Sequence, residues 1–243
     1  MIPQNAMNGP GRRRLDHELI FRAFVRTFFR LLYHELAWTY DVVAWLVSFG
    51  QWKAWGRAAI PRLRGRRILE LAHGPGHLLV AIERAGFAPV GLDLSPQMGQ
   101  LARRRLRDGS CDVPLVRARA QALPFRAGAF DSVVSTFPTE FIVDPATLQE
   151  VARVIGQAGR AVVVPGIVFG ASLPARALEL LYTVTGQHKP ELPRIAGALA
   201  DALAGEGLAL EQGCEPMGLA EVQILVAGKP GSADAASRRL RQG

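Results

Sequence analysis

The stretch Arg67 to Leu79, RILELAHGPGHLL, places one acidic residue, Glu70, just before a turn built on Gly74, Pro75 and Gly76. Glycines in a turn let the backbone come close to a ligand, and a helix that follows offers free N–H groups at its first turn. A second acid, Asp93, stands 23 residues after Glu70 and ends the apolar run PVGLD. A carboxylate there is placed to accept hydrogen bonds from both hydroxyls of a ribose. That spacing also suits NAD, but the dinucleotide fingerprint asks for a third glycine three positions after Gly76, where Leu79 stands. An acid ahead of the turn can instead meet the amino group of an amino-acid-like ligand. Other groups capable of chemistry lie nearby. His73 and His77 flank the turn as candidate bases. Glu140, in STFPTEFI, is a candidate base or acceptor-orienting group. YHELAWTYD (33–41) supplies Tyr33, His34, Glu35, Tyr40 and Asp41, with Tyr33, His34 and Tyr40 candidates for a lid or catalytic role. No HExxH, CxxC or P-loop pattern occurs, so no metal is expected.

The elements that must position these residues alternate. Strands are expected at 67–72, 89–93, 114–117, 130–136 and 160–165, with helices at about 77–86, 96–107 and 145–155 between them. Strands buried on both faces and separated by helices imply a doubly wound, mostly parallel α/β sheet. Residues 208–216 and 220–230 read as a closing pair of strands, and 173–204 as a helical insertion. Upstream, about 15–60 reads as a helical aromatic cap. All four Trp fall between 38 and 55. Arg22, Arg26 and Arg30 share one helix face, and Phe21, Phe24 and Phe28 the opposite one. Gly50 and Gly56 break the cap into two or three helices. The expected organisation is a disordered basic arm at 1–14, the cap at 15–60, a core at 61–230 and a disordered tail at 231–243.

The 243 residues are 49% hydrophobic, ample for a sizeable core. Two cysteines, Cys111 and Cys214, cannot make a disulfide framework and suit a reducing compartment. The opening MIPQNAMNGPGRRR is polar and basic where a secretory signal would be apolar. The longest uncharged run of the aromatic region, Val42 to Trp52, falls far short of the ~20 apolar residues needed to span a bilayer. The expectation is a cytoplasmic protein. Residues 1–67 hold 12 Lys+Arg and 4 Asp+Glu of the chain's 29 and 21, which leaves 17 of each beyond them. The +8 net charge therefore belongs to the N-terminal segment, and 15–57 is a candidate for contact with an anionic membrane surface at the inner face.

Four segments together resemble the class I S-adenosylmethionine (SAM)-dependent methyltransferases: ILELAHGPGH, VGLDLSPQM, ARAQALPFRAGAFDSVV and RVIGQAGRAVVV, in order and in spacing. The likeness is nearest to the type 11 group that includes the ubiquinone and menaquinone C-methyltransferases. It covers about residues 33–165, including the upstream YDVVAWLVSFGQWKAW. The resemblance implies a seven-stranded Rossmann-like fold and SAM as cofactor. It places Glu70, Ala72, Gly74 and Gly76 around the methionine end, Asp93 on the ribose, Leu94 and Met98 beside the adenine, Ala120 and Gln121 at the adenine rim, and Thr136 facing the sulfonium. Ala72 stands where that family usually has its first glycine, a methyl that is tolerated if the residue keeps φ below zero. Arg119 stands where the family usually has an Asp contacting the adenine amino group, leaving Gln121 as the substitute. The function implied is methyl transfer to a small, apolar or lipid-like acceptor. The alternatives are an RNA methyltransferase, suggested by the basic front but lacking an Asn/Asp-Pro-Pro-aromatic clamp, and a non-catalytic SAM-binding protein.

Overall fold

The computed structural model describes residues 51–169, 197, 199, 203–218 and 220–228. The arm, the tail, most of the cap and most of the 173–204 insertion lie outside them, as do Tyr33, His34 and Tyr40. The elements in chain order are α1 (Trp52–Arg57), a 3-10 turn (Ile60–Arg62), β1 (Arg67–Leu71), α2 (His77–Arg84), β2 (Ala88–Asp93), α3 (Pro96–Asp108), β3 (Leu115–Arg117), β4 (Phe130–Thr136), a 3-10 turn (Glu140–Val143), α4 (Pro145–Val154), β5 (Ile155–Phe169), β6 (Ala209–Met217) and β7 (Ala220–Gly228).

The seven strands form one sheet in the order β3-β2-β1-β4-β5-β7-β6. Neighbours from β3 through β5 pair in parallel, while β7 runs antiparallel to both β5 and β6. The chain moves outward from β1 to β2 and β3, then returns to lay β4 on the other side of β1. The carboxyl ends of β1, β2 and β4 therefore flank a topological switch point, where open α/β sheets bind ligands.

Alternation along the strands explains the two-sided burial. Ile68, Val134, Val162 and Val164 face one layer, where Trp55 of α1 and Leu78 and Ile82 of α2 cover them. Leu69, Leu71, Val133, Ala161 and Val163 face the other, against Leu148, Val151 and Val154 of α4 with Leu199 and Leu203. Both α3 and α4 begin with a capped proline start. Ser95 Oγ accepts from Met98 N and Asp144 Oδ1 from Ala146 N, with Pro96 and Pro145 in the first turn.

The expected strand at 160–165 is in fact the longest among the described residues, running from Ile155 to Phe169. Its extra length comes from its partners. β4 pairs Phe130 with Ile155 and then Ser132 with Arg160, so the GQAG segment bulges between two paired positions. Beyond it, β7 pairs Gly166 through Phe169 after an irregularity that spans Pro165, a residue with no N–H to give a ladder.

Candidate active site

The turn after β1 is held from several sides. His73 N–H donates to Leu92 O at 3.3 Å, Gly76 N–H donates to His73 O at 3.0 Å, and an Arg105 guanidinium N–H donates to Pro75 O. Gly76, at φ +79°, starts α2, and a Cβ there would stand 2.9 Å from that of Ala102, so this glycine brings α2 and α3 together. Gly74, at φ +53°, differs: a Cβ on it would meet nothing within 4 Å. Its bare side faces the cavity.

Ala72 has φ +55°. The expectation that its methyl is tolerated at negative φ is therefore wrong. The turn requires the left-handed backbone that a glycine adopts freely, and an alanine there costs about 1–2 kcal/mol. Phe137, immediately after β4, shows the same departure at φ +51°. It precedes Pro138, which favours extended backbone. It is held by its N–H to Val164 O at 2.7 Å and by its ring against Trp52.

Asp93 bridges the turn and the next helix. Its Oδ2 accepts from Gly74 N at 2.9 Å and its Oδ1 from Ser95 N at 2.8 Å. Each oxygen keeps a lone pair for a further donor. Glu70 is 2% exposed, and its Oε2 has no hydrogen-bond partner. Burial first, and then repulsion from Asp93, raise its pKa well above the ordinary carboxylate range. His73 is also buried. Its Nδ1 lies 2.7 Å from Gly74 O, so Nδ1 carries the proton and donates. Burial lowers its pKa against the opposing pull of Asp93.

These groups line one cavity of about 240 Å³ at the switch point. Glu70, Ala72, Gly74, Asp93, Met98 and Thr136 are brought together there, with His73 and His77. Gly76 sits behind the turn as the helix start. Leu94 follows Asp93, is 54% exposed and does not line the cavity. Ala120 is buried, and the Gln121 amide N–H donates to Asp144 Oδ2 at 2.9 Å, which leaves its oxygen as the remaining acceptor. Arg119 is exposed. Glu140 is exposed at the start of its 3-10 turn and does not line the cavity, where Phe141 does.

Among the cavity residues that escaped the sequence reading are Trp52, Lys53, Phe137 and Phe141. Trp52 and Phe137 stack with centroids 3.9 Å apart and planes at 28°. The concentration of Trp residues before β1 marked the segment. Nothing in the sequence told which ring turns inward.

An orphaned buried carboxyl beside an open glycine, with a second acid ending β2, suits a ligand that carries an amino group and a ribose. SAM has both, and Glu70 and Gly74 fit it. The site and sheet define a Rossmann-like methyltransferase. The same fold occurs in the geranyl diphosphate C-methyltransferase of Streptomyces coelicolor, at a TM-score of 0.52 and 15% identity over 72% of this chain and 78% of that one. A family model described as a methyltransferase domain matches residues 68–159. The chain is 38% identical over 175 residues to a demethylmenaquinone methyltransferase of Thermus thermophilus, covering 70% of this chain and 77% of that protein. It is 34% identical over 143 residues to a ubiquinone/menaquinone biosynthesis C-methyltransferase of Geotalea uraniireducens, where it spans 54% of this chain and only 60% of the relative. The chain belongs to the SAM-dependent methyltransferases, and SAM is its cofactor. Among the described residues no helix is long and apolar enough to cross a membrane, and no group of three or more His, Cys, Asp or Glu is placed to hold a metal.

Proposed function

We propose that this enzyme methylates a ring carbon of a small, apolar, quinol-type acceptor. The observation that carries the reading is the Trp52–Phe137 ring pair, a flat aromatic wall beside Thr136 in the cavity. The names of the relatives, demethylmenaquinone and ubiquinone/menaquinone methyltransferases, support it. None of the relatives compared is named for nucleic acid, so the RNA alternative gains nothing.

In this reading Glu70, Ala72, Gly74 and Gly76 surround the methionine end, Asp93 holds the ribose, Leu94 and Met98 flank the adenine with Ala120 and Gln121 at its rim, and Thr136 faces the sulfonium. SAM supplies an electrophilic methyl group. The chain's own residues align the acceptor and exclude water. The basic segment 15–57 is the candidate for contact with the anionic surface from which an apolar acceptor arrives. Vesicle co-sedimentation with and without anionic lipid tests that last element.

The test of the acceptor uses methyl-labelled SAM and a reduced naphthoquinol bearing a short prenyl chain. Label on the ring, located by mass spectrometry, is the expected result, and Trp52→Ala raises KM for the quinol without weakening SAM binding. A protein that binds SAM yet labels neither quinols nor lipid extracts overturns the reading.

A further inference from the structure

The charged groups of the cavity are divided. Glu70 and Asp93 lie with the glycine turn, and Asp93 already takes two backbone N–H groups. On the side of the ring pair, the lining contributes Trp52, Lys53, Gly56, Thr136 and Phe137. Glu140, the expected acid of this region, is exposed and absent from the lining. The ring-pair side therefore carries a cation and no carboxylate among the described residues. Lys53 follows Trp52 directly on α1, and Gly56, one turn further along, comes within 3.9 Å of Thr136 Oγ1 if a Cβ is built on it. A Cβ at Gly56 would be in ordinary van der Waals contact with Thr136. The packing of α1 against the end of β4 thus sets Lys53 at the mouth of the space beside the rings.

We propose that Lys53 is an acceptor-binding residue that selects an ionised ring hydroxyl: the acceptor lies against Trp52 and Phe137 with a phenolate oxygen paired to the Lys53 ammonium. This inference rests on the ring-acceptor reading above and names the ionisation state in which the acceptor reacts. The hydroxyl proton leaves to solvent. The phenolate electron pair enters the ring, and the adjacent ring carbon forms the new C–C bond to the donor methyl as the S–CH3 bond breaks with its electron pair on sulfur. The hydrogen on the attacked carbon then departs as a proton to water, which restores the aromatic ring. No carboxylate base is required on this side of the cavity, in keeping with the outward position of Glu140. The other titratable groups of the lining, His73, His77, Glu70 and Asp93, belong to the turn, to α2 and to the strand ends.

Two measurements test it on the full chain. The first uses 4-nitrophenol, whose ionisation is read from its visible absorbance, with the protein saturated in S-adenosylhomocysteine. An opposite charge within a few ångströms favours the ionised form by on the order of one pH unit or more. Wild type and Lys53→Arg are expected to lower the ionisation midpoint of the bound phenol by about that much, and Lys53→Met to leave it where it stands in water. The second follows kcat/KM for naphthoquinol against pH. Lys53→Met is expected to move the rising limb upward by about one unit and to reduce the neutral-pH value roughly tenfold, with SAM affinity unchanged. No midpoint shift in wild type, or the same shift in Lys53→Met, overturns the proposal. A Lys53-dependent shift without quinol turnover keeps the Lys53 assignment and overturns the quinol acceptor.

Discussion

The proposed pairing of Glu70 with the SAM amino group makes cofactor binding a proton-release reaction. Its carboxyl is buried, its Oε2 lacks a partner and Asp93 repels its charged form, so the free protein holds it protonated to well above the usual carboxylate range. The amino group of SAM needs the ionised form. Binding then expels one proton, and over the range where free Glu70 is protonated and bound Glu70 is not, Kd falls about tenfold per pH unit, or about 1.4 kcal/mol. Calorimetry in two buffers of different ionisation enthalpy reads the proton directly. Glu70→Gln removes a charge-assisted hydrogen bond of about 1.5–3 kcal/mol, so Kd rises about 10- to 150-fold and the pH slope disappears. The free protein responds in the opposite sense. A carboxyl whose folded pKa is raised contributes stability that is fully present below its unfolded value of 4.5 and is lost as pH rises through the folded one. Glu70→Gln therefore unfolds at higher temperature than wild type in mildly alkaline buffer while binding the cofactor less well. A binding enthalpy independent of buffer, together with an unchanged Kd for Glu70→Gln, refutes this reasoning.

Three further outcomes follow from the backbone and one ion pair. Ala72→Gly removes about 1–2 kcal/mol of left-handed strain at φ +55° and adds back about 0.4–1 kcal/mol of unfolded-chain entropy. Chemical denaturation should show a net gain of roughly 0.5–1 kcal/mol, and a loss refutes the strain. Gly76→Ala and Gly74→Ala separate packing from ligand space. The first brings a methyl to 2.9 Å from the Cβ of Ala102 and should cost about 2–3 kcal/mol of stability. The second meets no protein atom within 4 Å and should cost about 1 kcal/mol while weakening SAM binding at least tenfold, read by calorimetry. Asp131 accepts from Arg66 N and Arg67 N and pairs with the Arg67 guanidinium at 2.6 Å, which holds its pKa at about 2 against 3.8. Its contribution is present above pH 3.8 and lost as pH falls toward 2. With both side chains partly exposed, Asp131→Asn should cost about 1 kcal/mol at neutral pH and nothing near pH 2 in urea titrations.

The sheet was legible because its central strands bury both faces, as the alternation of Ile68 and Leu69 or of Val133 and Val134 shows. The glycine-turn side of the cavity was legible for a related reason. Glu70, Gly74 and Asp93 sit at strand ends, and the sheet fixes where strand ends lie. What failed to show in the sequence is set by tertiary contact. The length of β5 depends on pairing with β4 on both sides of a segment, GQAG, that by itself reads as a turn, and on pairing with β7 from Arg160 to Phe169. The sign of φ at Ala72 contradicts the residue's own preference and is imposed by a turn tied to β2 through His73 N–H. Gln121, expected at the adenine rim, spends its amide N–H on the carboxylate that caps α4. Glu140 and Phe141 are adjacent in sequence at the start of a 3-10 turn, and only the apolar one lines the cavity.

Ala72 and Phe137 are bulkier than glycine, hold positive φ, and follow β1 and β4, which lie side by side in the sheet. Each costs about 1–3 kcal/mol, and the surrounding hydrogen bonds and packing must hold them there. Both line the same cavity as the unpartnered Glu70 carboxyl. Strain and unsatisfied polarity are thus gathered where the sheet's connectivity opens the switch point. A cofactor that pairs with Glu70 removes part of that cost only in the bound state. The free chain is accordingly less stable than its core would allow. Substitution at Ala72 or at Glu70 should each relieve part of that cost, and only the first leaves the proposed partner of the cofactor in place.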